Sequence, residues 1–177
     1  ALHTPTRARE APGTIIPAPF VGDQKLSDMA IRVAVDAMGG DHAPAVVIQG
    51  AIDAVRQDPE SLHVLLVGQE ERVRAELSQH EGVDALPLTV LDAPEVVEMD
   101  EAPATAVKRK RQSSIHLGLG AHKQGHADAF VSAGNTGAVM AASLFILGRM
   151  PSVMRPTLLG YLPSITGHPS VGVDMGS

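Results

Sequence analysis

From Ile31 onward the chain repeats one alternation: short runs of β-branched and other apolar residues, then longer stretches whose apolar positions recur at helical spacing. This is the sequence form of a mostly parallel sheet covered by helices on both faces, so the fold class is α/β. The first strand is Ile31 to Val35, the loop Asp36 to Ala43 follows, and Pro44 takes a first helical position, where proline is tolerated. That helix runs to Gln57. Leu62 to Val67 is a continuous apolar strand, Glu70 to Gln79 an amphipathic charged helix, and Leu88 to Leu91 a third strand. After a long acidic connection, Asp92 to Pro103, come a helical stretch through Lys108 to Arg111 and a helix from Ser114 to Lys123, capped by Ser113 and stopped near Gly125. Ala129 to Val131 and Thr136 to Leu147 add a further strand and helix. Thr157 to Leu162 and Val171 to Asp174 read as two more strands around a turn rich in Gly and Pro. The chain stops just after a strand, which implies an unfinished sheet.

The longest apolar stretch, Ala138 to Leu147 with only Ser143 interrupting, is half of the roughly 20 residues needed to span a bilayer, and is expected as a buried helix. Residues 1 to 30 carry Pro5, Pro12, Pro17 and Pro19 without a continuous apolar segment, so they read as a flexible tail and not as a secretory signal. The organisation is thus a tail, 1–30, followed by one α/β unit, 31–177.

Composition narrows the partners. With 177 residues the chain is long enough to bury a substantial core. Fourteen Lys and Arg against 20 Asp and Glu give a net charge of −6, and one Tyr, three Phe and no Trp leave little surface for stacking bases. Nucleic acid is therefore not expected as a partner. Cysteine is absent, which removes disulfides, thiolate metal sites and a cysteine nucleophile together, and fits a cytoplasmic location. Any acyl chemistry must proceed without an enzyme thiol.

Two loops carry the candidate chemistry. Ser132-Ala133-Gly134-Asn135-Thr136-Gly137 leads from an apolar strand into an apolar helix. Small residues let a ligand approach the backbone there, the first helical N–H groups lack intrahelical partners, and the helix dipole adds partial positive charge. The junction suits a phosphate or an oxyanion; the plainer reading is that Asn135 or Thr136 caps the helix while Gly134 and Gly137 allow close packing. The second loop, Asp36-Ala37-Met38-Gly39-Gly40-Asp41-His42-Ala43-Pro44, lies at the carboxyl end of the first strand, the edge where open α/β sheets bind ligands. Its glycines permit a sharp turn with exposed amides, and Asp36, Asp41 and His42 bring three ionisable groups into one loop. A tight turn with a capping aspartate is the structural alternative.

Other motifs fall away. Gly-x-Gly-x-x-Gly, the Gly-x-Ser-x-Gly elbow, the P-loop and His-Glu-x-x-His do not occur, and no metal or cofactor is called for. Gly118-Leu119-Gly120 sits inside a helical pattern and is given no phosphate role. His116, His122 and His126 straddle a helix end and read as a solvated face. Lys108-Arg109-Lys110-Arg111 is the only dense basic run, and follows the acidic stretch Glu95 to Glu101. It is either a solvated helix with an intrachain charge partner or a contact for an acidic partner or phosphate.

Taken together, Val35 to Pro44, Glu98-Met99-Asp100-Glu101-x-Pro103-Ala104, the basic run with Ser113-Ser114, and Ser132 to Ala138 resemble the bacterial phosphate acyltransferase (PlsX-type) family. The resemblance runs from Ile31 to the last residue in the family's order and corresponds to its amino-terminal half. It implies a three-layer α/β/α sandwich similar to isocitrate and isopropylmalate dehydrogenases and phosphotransacetylases. It also implies transfer of a fatty acyl group from acyl carrier protein to inorganic phosphate, forming acyl phosphate for a glycerol-3-phosphate acyltransferase of phospholipid synthesis. Homodimers attached peripherally to the cytoplasmic membrane are implied as well.

On that reading Asp36, His42 and Asn135 are the catalytic candidates, with His42 protonating the departing thiolate. Gly39, Gly40, Asp41, Ser132, Gly134, Asn135, Thr136 and Gly137 bind phosphate or the oxyanion, and Lys108, Arg109, Lys110 and Arg111 meet the partner. A phosphotransacetylase-like enzyme, or an inactive truncated form that keeps anion and carrier-protein binding, are the alternatives. Two departures stand out. Gly118 and Gly120 replace better helix formers, each at a cost of about 1 kcal/mol relative to Ala. Asp174-Met175-Gly176-Ser177 stands where the family has Asp-Val-Gly-Ala.

Overall fold

A computed structural model describes residues 30–154, 156–165 and 167–174. Apart from Ala30, the expected tail lies outside the described residues, as do Met175, Gly176 and Ser177. The short apolar-rich runs of the sequence pair side by side: β1 (Ile31–Asp36), β2 (Leu62–Gly68), β3 (Leu88–Asp92) and β4 (Ala129–Val131) form a parallel sheet in the order β3-β2-β1-β4. Ile31 lies opposite Leu62, Val64 opposite Leu88, and Val33 opposite Ala129.

The pleat of β2 divides the core. Val64 and Leu66 face Ile48, Ile52 and Val55 of α1 (Ala45–Gln57) and Val73 of α2 (Glu70–Leu77). Leu65 and Val67 face the opposite side, where they meet Leu117 and Ala121 of α4 (Ser114–Lys123). Each fully buried Ile, Leu or Val contributes about 1.5–3 kcal/mol relative to an exposed one. On its other side α4 packs, through Ile115 and Leu119, on Ala106 and Val107 of α3 (Pro103–Arg109) and on Ala138, Ala142 and Ile146 of α5 (Thr136–Ile146). Helices cover both faces of the sheet, so the three-layer α/β/α expectation holds. Among the described residues no helix is long and apolar enough to cross a membrane.

Several expectations change in detail. Pro44 precedes α1 as its cap residue, with φ −87° and ψ −13°, because its carbonyl already accepts from Ile48. The second helix stops at Leu77, two residues early, and a short 3-10 turn at Val83–Ala85 follows. The two last strands, β5 (Leu159–Leu162) and β6 (Ser170–Val173), do not join the parallel sheet but pair with each other antiparallel. Helix α5 is not buried all round: its Leu144 and Phe145, and Leu147 just beyond its end, stay exposed, since it covers one stripe of core beyond the edge strand β4. His116 and His122 are half-buried and not on a solvated face; His122 Nδ1 lies 3.1 Å from the Ala127 carbonyl oxygen.

Gly118 also has a role its sequence context hid. A Cβ there would lie 2.3 and 2.6 Å from two ring carbons of Phe130, the β4 side chain wedged between α4 and α5. The absent side chain is what lets the ring reach the helix backbone, and this packing offsets the propensity lost in α4.

Candidate active site

The chain leaves β1, builds β2 and β3 outward on one side, then returns to place β4 on the other side of β1. At such a reversal the connections leaving the two neighbouring strands diverge and open a crevice at their carboxyl ends. The loops after β1 and β4 meet there, and they are the two loops singled out in the sequence.

Asp36 ends β1 with its side chain buried, 2% exposed. Its Oδ1 accepts from the Met38 amide at 3.1 Å, which curls the loop back on itself. Its Oδ2 accepts from the Ser132 hydroxyl at 2.7 Å, and Ser132 Oγ in turn accepts from the Gly134 amide at 3.0 Å. One carboxylate thereby ties the two loops together across the crossover. The backbones touch at the same place: a Cβ on Gly39 would lie 2.7 Å from the Gly134 nitrogen, and one on Gly134 would lie 3.2 Å from the Gly39 Cα. Gly40 follows with φ +101°, where an L side chain is strained, and lies over Ala133. Asp36, Gly39, Gly40, Ser132 and Gly134 are thus brought together.

The α5 N-terminus completes the site. Asn135 is buried and caps the helix, its Oδ1 accepting from the Ala138 amide at 3.0 Å. Its Nδ2 points at three backbone carbonyl oxygens, those of Glu98 (3.1 Å), Met99 (3.2 Å) and Glu101 (3.1 Å). An amide has two N–H groups, so none is left over for a ligand. The expectation of an Asn135 side-chain donor to the anion is therefore corrected: the side chain holds the helix start to the acidic connection. The donors that remain are backbone groups. The amides of Thr136 and Gly137 find no acceptor among the described residues. Asp41, His42 and Thr136 are exposed, and Asp41 and His42 make no side-chain hydrogen bond among the described residues.

The basic run divides. The helix ends at Arg109, because Lys110 turns out of it (φ −96°, ψ 70°) and sends its ammonium back to the Val96 carbonyl oxygen, 2.6 Å away, and to the Glu101 carboxylate. Lys110 is thus withdrawn from the partner-facing set, whereas Lys108, Arg109 and Arg111 are exposed. The Glu98 amide that Glu101 accepts from, and then Lys110, hold the Glu101 carboxyl below its ordinary range. Sequence reasoning did not place Glu101 or Pro103 in the site; the nearest signal was the acidic stretch preceding the basic run, which supplies Lys110 with its charge partner.

The geometry is a pair of unpaired backbone amides at a helix start, beside two loops tied together at a strand crossover. A family model described as "Fatty acid synthesis protein" matches residues 31–177. The chain is 55% identical to the phosphate acyltransferase of Salinibacter ruber over 148 residues, 84% of this chain and 44% of that protein. The chain belongs to the phosphate acyltransferase family. It is also 52% identical to the phosphate acyltransferase of Chlorobaculum tepidum over 140 residues (79% of this chain, 42% of that protein) and to that of Anaeromyxobacter sp. strain Fw109-5 over 145 residues (82% and 39%). The chain spans about two fifths of the length of these family members.

Proposed function

We propose that the chain supplies the phosphate- and oxyanion-binding part of an enzyme that transfers a fatty acyl group from acyl carrier protein to inorganic phosphate. The product is acyl phosphate, the acyl donor for phospholipid synthesis. The observation that carries this reading is the pair of free amides, Thr136 and Gly137, at a helix N-terminus locked by Ser132 and Asp36 to the facing loop. Support for the reaction class comes from the relatives' name, phosphate acyltransferase.

Phosphate is already ionised at neutral pH, so its attack on a thioester needs positioning more than deprotonation. The amides of Thr136 and Gly137 hold the phosphate or the oxygen of the tetrahedral intermediate. Losing one such donor lowers the rate by roughly 10² to 10³. Asp36 orients Ser132 and keeps Gly39 against Gly134. Exposed His42 delivers a proton to the departing thiolate, with Asp41 beside it. Lys108, Arg109 and Arg111 attract the acidic carrier protein, chiefly by speeding encounter. The complete enzyme acts as a cytoplasmic homodimer that visits the membrane surface to feed a glycerol-3-phosphate acyltransferase.

A second reading rests on length: spanning about two fifths of its relatives, the chain keeps the cradle without completing the catalytic set. One experiment separates the two. The chain is mixed with acyl carrier protein thioester and phosphate while free thiol is followed, its lack of cysteine giving a clean background. Phosphate-dependent thiol release establishes the transferase. No release, with phosphate raising the melting temperature, establishes a binding-competent part. Neither response refutes the anion site.

A further inference from the structure

The acidic connection is a closed lasso rather than a loose loop. Its base is pinned where the Glu95 amide donates to the Gln112 carbonyl oxygen (3.3 Å) and the Gln112 amide donates to the Glu95 carboxylate (2.7 Å). Its middle is held by Lys110, which bridges the Val96 carbonyl oxygen and the Glu101 carboxylate. Glu101 accepts the Glu98 amide at 2.9 Å while its own amide donates to the Glu98 carbonyl oxygen at 3.3 Å, so the strip 98–101 closes on itself.

That strip grips the start of α5 at two points. Three of its carbonyls converge on Asn135 Nδ2. Pro103, immediately beyond it, lies against Gly137 so closely that a Cβ there would be 2.6 Å from the proline Cγ. Asn135 precedes the two free amides and Gly137 carries one of them.

The geometry points to Lys110 as a positioning residue: through Glu101 and the carbonyls of Glu98, Met99 and Glu101 it fixes the Asn135 cap, and with it the aim of the Thr136 and Gly137 amides at the anion. Charge gives a second reason. Glu95, Glu98, Asp100 and Glu101 put four carboxylates on the segment beside the cradle, and Lys110 pairs with one of them, that of Glu101. Removing it leaves the Glu101 carboxylate without its partner close to where an anion must bind. This inference rests on the phosphate reading of the cradle.

The test uses the full chain and inorganic phosphate as the probe, with binding followed by calorimetry and backbone mobility by amide hydrogen exchange. K110M should weaken phosphate binding by about tenfold, the size of one charge-assisted hydrogen bond. In the absence of phosphate it should speed exchange at residues 135–138 and leave β1 and β2 unchanged. K110R, which keeps the cation, should restore most of the affinity. E101Q breaks the latch while removing the carboxylate's charge, so it should speed exchange at residues 135–138 as K110M does; unchanged exchange there overturns the latch even if K110M folds poorly. A purely structural lysine would lower the melting temperature while leaving the phosphate affinity of the folded variant intact, and that result overturns the inference. Equal phosphate affinity in the parent and K110M overturns the latch alone. A parent chain that binds no phosphate overturns both the latch and the cradle.

Discussion

Alanine at position 39 would carry a methyl group into space held by two polar atoms. Built on the Gly39 backbone, its Cβ lies 2.7 Å from Asp36 Oδ2 and 2.7 Å from the Gly134 nitrogen. Ordinary contacts to carbon need roughly 3.5 Å, so the two loops must part by close to 1 Å. Such a movement stretches the 2.7 Å bond between Ser132 and Asp36, the only side-chain hydrogen bond between the two loops among the described residues. Overpacking of this kind costs about 1–3 kcal/mol, and losing a hydrogen bond to a charged group costs a similar amount; parting the loops exchanges one for the other. Gly39 does not adopt positive φ, so backbone strain does not add. A net loss of about 2 kcal/mol should lower the melting temperature by about 6 °C in a unit of this size. Gly50 is the control: it lies in α1 with nothing within 4 Å of where a Cβ would stand, and G50A should raise stability by about 0.5–1 kcal/mol. Calorimetric melting with and without phosphate measures both effects. If G39A melted within a degree of the parent and bound phosphate equally, contact between the two loops would not be what builds the cradle.

Other substitutions probe the remaining claims. G118A should destabilise by about 1–3 kcal/mol because of the Phe130 ring, and combining it with F130A should prove less than additive in urea unfolding. N135D keeps the oxygen that caps Ala138 but turns an oxygen toward three carbonyls; it should lose about 2–4 kcal/mol and be no better than N135A, whereas a simple cap would tolerate Asp. Burial, and then Arg32, lower the pKa of His63 from 6.5, so the unfolded chain binds more protons than the folded one as pH falls below that value. Stability should therefore level off above about pH 6.5 and decline below it, by at most about 1.4 kcal/mol per pH unit for this group, and H63L should flatten the urea midpoint measured from pH 5 to 8.

Local chemistry made the elements legible. Leu62 to Val67 has no neighbour that competes with a buried strand, and Ser113 and Asn135 mark helix starts that form where expected, each accepting an amide three residues on. The free amides at the start of α5 were legible for the same reason, since a strand entering a helix through small residues exposes amides whatever surrounds it. For Lys110 the acidic stretch before it signalled an intrachain charge partner, but not which carboxylate or that its ammonium also reaches Val96, because that depends on where the chain places both after α3 has formed. Gly118 misled outright, as helix propensity counts the missing side chain but not the Phe130 ring that fills its place.

Periodicity and turn chemistry act within a few residues, and by themselves they determined the α/β class, the strand and helix order, and the two small-residue loops at the strand ends. The parallel order β3-β2-β1-β4 is a matter of distant partners, and it alone decides that the loops after β1 and β4 meet. Only that meeting gives Asp36 a hydroxyl 96 positions away to accept from, and only the fold turns Asn135 from an apparent anion donor into the pin that holds the helix start. Side-chain amides and carboxylates can satisfy either a ligand or the backbone. Which one they face is settled by packing, not by residue type.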